Sequence, residues 1–216
     1  EIHERLVGSE MCIRDRSNII RFSKRKGLLS MQNYVITITR QFGSRGRDIG
    51  IATAKKLGIP LYDRNVLEKE AEEIDGTLHS LVEFSKNGMS SSGYYKMAYP
   101  LGIGSSLKKD RMFEVQSKLV LQHAETENCI IIGRCADYAL AENPNHLSLF
   151  IHAPMEARIQ RVARRQKLTP EEARKTIIKT DKRRASYYEY YSSKKWGAVD
   201  SYDFCLDSSY LGLSGT

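Results

Sequence analysis

Residues 35–50 constrain the fold of this chain more than any other stretch. Residues 34–39 are β-branched and apolar, Gly43 and Gly46 follow, and a helical pattern begins at Ile49. A strand that turns through glycines into a helix brings its backbone close to an anion and points the first N–H groups of the helix at it. The stretch therefore predicts an anion-binding loop at the start of an α/β domain.

The loop departs from G-x-x-x-x-G-K-[ST], the usual phosphate-binding pattern. Only Gly46 matches, because Gln41, Arg47 and Asp48 stand where Gly, Lys and Ser or Thr are expected. Two interpretations stay open: a nucleotide-binding loop, or a tight turn in which Asp48 caps an ordinary surface helix. In the first interpretation the nucleotide phosphates are bound by Gly43, Ser44, Arg45, Gly46, Arg47 and Asp48.

Further short apolar runs alternate with helical patterns along the chain; they cover residues 59–62, 129–132, 147–151 and 202–206. This alternation predicts a doubly wound parallel sheet that binds its ligands at the carboxyl ends of the strands. Two segments, 63–128 and 155–197, interrupt it. The first includes a loop rich in Gly and Ser, residues 86–106, which we expect over the active face. In the second, a helix begins at Thr169.

Composition narrows the possible functions. The chain has 216 residues, enough for one α/β domain, and its net charge of +8 favours anionic ligands. No run approaches the roughly 18 apolar residues of a membrane span. The cysteines show no metal-ligand spacing, and Cys129 and Cys205 lie in or beside apolar runs, so we expect reduced thiols in a cytoplasmic protein.

The termini carry a separate expectation. Residues 7–16, VGSEMCIRDR, resemble a translated sequencing adapter, so we expect residues 1–30 to be a non-native or disordered leader; a native basic tail is the alternative. On this hypothesis a single domain covers residues 31–216 and is cut short at its C-terminus.

The arginines are placed as phosphate binding requires. Arg134 follows the run Cys129–Ile132 and Gly133, and should project at the carboxyl edge of the sheet. Arg158 and Arg161 lie three residues apart, on one helix face. Arg guanidinium groups hold two phosphate oxygens in a planar fork. The alternative for each arginine is that it is a solvated surface charge, and this alternative is weakest for Arg134.

Five motifs in order resemble the cytidylate kinase-like proteins, a branch of the P-loop nucleoside monophosphate kinases. They are TRQFGSRGR at 39–47, LYDR at 61–64, IIGRCADY at 131–138, TDKRRASYY at 180–188, and WG at 196–197. The resemblance covers residues 33–216. It implies a P-loop NTPase-type three-layer α/β fold with a five-stranded parallel sheet, a helical monophosphate-binding insertion at about 63–128 and a lid at about 155–197.

The resemblance also implies an activity and its residues. The γ-phosphoryl group of ATP, with Mg²⁺, would pass to a nucleoside monophosphate, CMP or dCMP first. The implied catalytic residues are Arg47, Arg134, Arg158, Arg183 and Arg184. The implied substrate-binding residues are Asp63, Arg64, Arg134, Asp137, Arg161 and Asp181.

The departures from the family pattern keep other interpretations open. Asp48 either binds Mg²⁺ or caps the helix, and Cys135 stands where the cytidylate kinases have Asp. A nucleotide-binding regulatory module without turnover is the second functional hypothesis, and nucleic-acid binding is the last. The tyrosines at 187, 188, 190 and 191 either stack on a base or, more commonly, pack a helix against the core.

Overall fold

The computed structural model describes residues 33–76, 103–210 and 212–216. Its strands are β1 (Val35–Arg40), β2 (Leu61–Tyr62), β3 (Cys129–Ile132), β4 (His146–His152) and β5 (Phe204–Asp207). They form one five-stranded parallel sheet in the order β2-β3-β1-β4-β5. The predicted parallel sheet is confirmed, and each strand lies within two residues of its predicted bounds.

Helices connect the strands. They are α1 (Gly46–Leu57), α2 (Arg64–Ile74), α3 (Ile103–Thr126), α4 (Ala136–Ala139), α5 (Met155–Gln166), α6 (Pro170–Ser192) and α7 (Gly212–Gly215), with a 3₁₀ turn at Val199–Ser201. The start of α6 follows the sequence: the Thr169 side chain accepts from the Glu172 amide, and the Glu172 side chain accepts from the Thr169 amide.

The sheet is buried on both faces, as a parallel sheet must be. In β3, Ile131 packs with Leu67 of α2 and Leu119 of α3, whereas Ile130 packs in a second cluster with Ile49 of α1. Successive side chains of a strand point to opposite faces. The uninterrupted apolar run of β3 therefore serves two cores, and the helices form the outer layers of a three-layer α/β fold.

The helices α5 and α6 pack through a cluster of their own. Val162 of α5 and Ile177 of α6 are buried in it, and Phe42 of the first loop packs against them. This contact joins the segment that sequence analysis assigns to a lid directly to the loop after β1.

Several predictions fall outside the described residues. The leader at 1–30 is one, and most of the loop at 86–106 is another; its last four residues belong to α3, which begins at Ile103. The domain limits stay predictions. Among the helices that the structure describes, none has both the length and the apolar character of a membrane span.

Candidate active site

The sheet brings the segments after β1, β2 and β3 to one edge, because these strands are parallel neighbours. The segments are the loop of residues 41–45, Asp63 at the start of α2, and the turn that begins at Gly133. This edge is the place where parallel α/β proteins bind ligands.

The loop 41–45 leads directly into α1. Arg45 precedes the helix in the left-handed conformation (φ 63°) and makes no capping hydrogen bond with its side chain to any residue that the structure describes. The amide N–H groups of Gly46, Arg47 and Asp48 have no acceptor within the helix, because a helix leaves its first N–H groups unsatisfied. The interpretation in which Asp48 caps α1 is wrong, since Asp48 lies in the first turn and Arg45 occupies the cap position.

Arginines from α5 and α6 hold the carbonyl groups around this loop. Arg184 donates to the Arg40 carbonyl (2.8 Å), Arg158 to Phe42 (3.3 Å) and Arg161 to Gly43 (3.3 Å). The Ser208 hydroxyl, beyond β5, donates to the Ser44 carbonyl at 2.6 Å. The loop conformation is thus fixed from one side by groups distant in sequence.

Arg158 and Asp181 form the centre of this support. Only 6% of the Arg158 side chain and 15% of the Asp181 side chain are exposed, and Arg158 NH1 lies 2.5 Å from Asp181 Oδ2. The other Asp181 oxygen accepts from the Phe42 amide at 2.7 Å. In this structure Arg158 and Asp181 contact the loop and each other, and Arg158 also lies 3.9 Å from Met155 Sδ. The catalytic role of Arg158 and the substrate-binding role of Asp181 stay predictions.

Arg161 differs from Arg158 in being partly exposed. Its guanidinium contacts the loop carbonyl and the Ser208 hydroxyl. Burial, with the neighbouring Arg45, lowers its pKa. Its predicted contact with substrate stays a prediction.

Arg40, the last residue of β1, lies at the middle of the edge. A side chain at Gly46 would meet the Arg40 Cβ at 2.6 Å, so Gly46 leaves room for the start of the Arg40 side chain, and the Arg40 guanidinium lies against Gly133, where an added Cβ would be 2.6 Å from NH1. Burial and the guanidinium of Arg184 lower its pKa to about 9, and Arg134 and Arg47 act in the same direction. Several positive groups therefore crowd one spot.

Arg47 and Asp63 pair across this edge. The Arg47 Nε and NH2 atoms both donate to Asp63 Oδ2, at 2.9 and 2.8 Å, while Asp63 Oδ1 accepts from the first amides of α2. Burial raises the pKa of Asp63, but the hydrogen bonds from Arg47 and from the amides outweigh it and lower the pKa overall. Half of the Arg47 side chain is exposed, so it is accessible from solvent.

Arg134 stands in a strained turn. Gly133, Arg134 and Cys135 all have positive φ, of 74°, 62° and 55°. The left-handed conformation costs a residue with a Cβ about 1–2 kcal/mol, and such strain concentrates at functional sites. The turn directs Arg134 to the side-chain oxygen of Gln116, to which Nε and NH2 donate at 2.9 and 2.7 Å, and over the ring of Tyr187, 4.7 Å away.

Arg64 and Arg184 also belong to the cluster. Arg64 Nε donates to the buried Glu68 carboxylate at 2.7 Å, and the same oxygen lies 3.7 Å from Arg134 NH2. Arg184, also over the Phe42 ring, has its pKa lowered to about 10 by burial. The neighbouring Arg183 is exposed. Of these two candidates, the structure places Arg184 in the cluster.

Asp137 is not placed in the cluster. It is 7% exposed and accepts from the Tyr188 hydroxyl at 2.7 Å, and burial raises its pKa. In this structure Asp137 joins α4 to α6 through that hydrogen bond, and its role in substrate binding stays a prediction. Tyr191 also packs, stacking on Phe113 with ring centroids 3.9 Å apart, whereas Tyr190 is exposed.

The edge as a whole carries an excess of positive charge. Its cationic groups belong to Arg40, Arg47, Arg64, Arg134 and Arg184, and its carboxylates to Asp63 and Glu68. Because the edge also lies beside the loop that precedes α1, this arrangement suits a polyanion such as a polyphosphate chain. The fold defines a P-loop-type α/β protein, and this edge is its candidate site for phosphate groups.

Comparison with known proteins gives the family. The chain belongs to the cytidylate kinase-like family, whose sequence profile matches residues 35–210. The family supports a kinase-like function on a nucleotide or another small molecule. No curated protein sequence matches the chain significantly.

Solved structures support the fold. An uncharacterized protein from Eubacterium ventriosum ATCC 27560 is 26% identical, with a TM-score of 0.62 over 81% of this chain and 87% of that one. TT1252 from Thermus thermophilus is 16% identical, with a TM-score of 0.52 over 82% and 88% of the two chains. The predicted P-loop fold and family are confirmed.

Three residues of the site escaped the sequence analysis. Arg40 ends a β-branched strand, and the rule that identified Arg134 at the end of β3 applies to it equally. Glu68 is four residues after Arg64, a pairing distance on a helix. Gln116 carries no such signal, because nothing in a helical pattern shows which polar residue faces a strand end.

Proposed function

We propose that this protein transfers the γ-phosphoryl group of ATP to a nucleoside monophosphate, with CMP or dCMP as the first candidates. The observation that carries the proposal is the convergence of arginines from β1, α1, α2, α6 and the turn after β3 on one edge of the sheet. Phosphoryl transfer needs positioning and positive charge more than covalent chemistry, and this edge supplies both.

Each side of the edge has its own task in this proposal. The amides at the start of α1 and the side chains of Arg40, Arg47 and Arg184 bind the triphosphate, and Arg134 with Arg64 binds the acceptor phosphate. Arg47 exchanges Asp63 for a phosphate oxygen, which its exposure permits.

Asp48 fits the requirement of a Mg²⁺ ion that accompanies ATP. In nucleotide sites Mg²⁺ takes one or two carboxylates and completes its shell with phosphates and water. Asp48 supplies one partly exposed carboxylate beside the loop, 4.0 Å from Arg165. The described residues offer no group of three or more His, Cys, Asp or Glu that would hold a metal without such help. The ion would neutralise phosphate charge.

A second function is favoured by the pair of Arg47 with Asp63. In the absence of the usual Lys and Ser or Thr, an arginine held by a carboxylate is suited to binding more than to turnover. A regulatory module that binds nucleotides without transfer is therefore the alternative.

An acceptor panel separates the two functions. The assay couples ADP formation from ATP and Mg²⁺ to a spectroscopic readout in the presence of each common nucleoside monophosphate. We expect ADP with CMP or dCMP; nucleotide binding without ADP for any acceptor would favour the regulatory module.

Arg134→Ala tests the site within the same assay. We expect a higher KM for the acceptor and a kcat lower by about 100-fold or more, because a charge-stabilising group is lost. Arg111→Ala is the control, since Arg111 is an exposed arginine that pairs with Asp75 and Glu114 at the surface. Unchanged kinetics in Arg134→Ala would contradict the assignment.

A further inference from the structure

The hydrogen bonds with Arg134 determine which way the side-chain amide of Gln116 is oriented. Gln116 is 1% exposed, and its side-chain oxygen accepts two hydrogen bonds from Arg134. An arginine offers donors only, so the amide cannot be turned around. The nitrogen of Gln116 therefore faces away from Arg134, with two N–H donors to place.

Those donors have no acceptor among the residues that the structure describes. Within the part of the chain that the structure describes, Gln116 Nε2 is a buried polar atom without a hydrogen-bond partner, and so is the hydroxyl of Tyr187. Both residues contact Arg134, one on the oxygen side and one through its ring. Buried donors without partners are rare in native proteins and indicate a ligand or a bound water.

We propose that Gln116 and Tyr187 recognise the base of the acceptor nucleotide, next to the phosphate held by Arg134. This inference rests on the proposed function, which assigns the acceptor to Arg134. The Gln116 nitrogen only donates, so it selects a base that offers hydrogen-bond acceptors. The Tyr187 hydroxyl donates and accepts, so it tolerates an amino group or a carbonyl.

The chemistry of the bases then predicts a preference. Cytosine presents two adjacent acceptors, the oxygen at position 2 and the nitrogen at position 3. Uracil also has acceptors, the oxygens at positions 2 and 4, but it carries an N–H at position 3 between them. If the Gln116 nitrogen faces position 3, as this proposal requires, its N–H groups pair with cytosine and oppose the N–H of uracil. A site with buried polar groups rejects the analogue that cannot pair with them. We therefore expect CMP to bind more tightly than UMP.

Gln116→Glu tests the proposal by calorimetric titration without turnover. The substitution keeps an oxygen for Arg134 and replaces the two N–H donors by an acceptor. We expect the Kd for CMP to rise about 10- to 100-fold, the size of one or two lost hydrogen bonds. Ribose 5-phosphate, which has no base, serves as the second probe.

The second probe separates recognition from charge. A new carboxylate beside Arg134 weakens every phosphate, so it would raise the Kd of CMP and of ribose 5-phosphate by the same factor. The proposal requires the rise in Kd for CMP to exceed the rise in Kd for ribose 5-phosphate by about tenfold. Equal rises in the two Kd values would overturn it. Gln122→Glu, an exposed position on α3, is the matched control and should change neither Kd.

Tyr187→Phe provides an independent test. It keeps the ring over Arg134 and removes only the unpaired hydroxyl, so the melting temperature should stay the same or rise. The Kd for CMP should rise several-fold. A lower melting temperature with an unchanged Kd would show a purely structural role and overturn the proposal for Tyr187.

These results distinguish the inference from the function on which it rests. If CMP binds through Gln116 but no phosphoryl group is transferred, the kinase proposal fails and base recognition stands. If the protein is an active kinase and Gln116→Glu weakens the binding of CMP and of ribose 5-phosphate by the same factor, the base-recognition proposal fails and the kinase proposal stands. If the unaltered protein binds neither CMP nor UMP, or shows no preference for CMP, the proposal is overturned.

Discussion

Arg40 lowers the stability of the ligand-free protein, and it lies where we propose that an anion binds. Its guanidinium lies among those of Arg184, Arg134 and Arg47, and its pKa is lowered to about 9, chiefly by burial. A group whose charged form is disfavoured in the folded state weakens folding at neutral pH. An anion bound at this edge would remove that penalty.

The substitution Arg40→Met tests this balance. Methionine retains an unbranched side chain between Gly46 and Gly133 and removes the charge, so we expect the free energy of unfolding to rise by about 1 kcal/mol. Pyrophosphate should raise the melting temperature of the unaltered protein but not that of the variant. Denaturant unfolding and thermal melts measure the two effects.

Arg164→Met, an exposed position on α5, serves as the control for Arg40→Met and should change neither quantity. A less stable Arg40→Met variant that still responds to pyrophosphate would contradict this interpretation of Arg40.

Asp63 gives a prediction on acid stability. Its pKa is lowered in the folded protein, so its ion pair stabilises the fold above its ordinary pKa of 3.8, and this contribution is lost as the pH falls through the lower folded value. Asp63→Asn keeps a good cap for α2 and loses only the charge. We expect the variant to be less stable at pH 7.

Urea unfolding from pH 7 to pH 3 measures how the difference between Asp63→Asn and the unaltered protein depends on pH. The difference should be largest at neutral pH and should shrink as the pH falls below the ordinary Asp63 pKa of 3.8. A difference that stays constant over this range would exclude the ion pair as its cause, and the exposed Asp200→Asn is the control.

At the scale of elements, α6 connects the two sides of the site. Asp181 and Arg184 contact the loop side, and Tyr187 and Tyr188 contact the segment after β3. The positions lie along two turns of one rigid helix. The segment that the sequence assigns to a lid therefore supports the loop in this structure.

Arg158→Met tests that support. It leaves the partly buried Asp181 carboxylate without its partner, which costs about 3–5 kcal/mol when the ion is fully desolvated and less here, since 15% of Asp181 is exposed. Amide hydrogen exchange at residues 41–46 should become faster. Arg165→Met, on the exposed part of the same helix, is the control; exchange rates that match it would contradict the support.

At the scale of the whole molecule, the sheet has a titratable group far from the site. His146 begins β4, bonds to Thr37 at 2.7 Å, and has its pKa lowered to about 4 by burial. The unfolded chain binds a proton below pH 6.5 that the folded chain refuses, so the free energy of unfolding should fall between pH 6.5 and 4.

Denaturant unfolding across this range checks the role of His146. The loss attributable to it should approach at most about 3 kcal/mol at pH 4, and His146→Gln should remove it. His152→Gln, at the other end of β4, should retain it. A pH dependence that His146→Gln leaves unchanged would refute this role.

The sheet was predictable because its strands are short apolar runs, several of which have a glycine or a proline near one end. The position of Arg134 was predictable for the same reason, since a strand end fixes where the next residue lies. The partners of Arg158 and Asp137 could not be predicted. Helical spacing shows which residues share one face of a helix, but not which other part of the chain packs against that face. Phe42 and Asp181 meet across 139 positions of the chain, a relation that local pattern does not contain.

The central claim is that two phosphorylated ligands meet at the arginine cluster. An analogue in which adenosine and cytidine are joined by five phosphates would span both sides, and calorimetric titration compares its Kd with those of ATP and CMP. The account predicts binding about 100-fold or more tighter than either, because the second half binds at a high effective concentration. A Kd no tighter than that of ATP alone would show that no second site faces the first and would contradict the account.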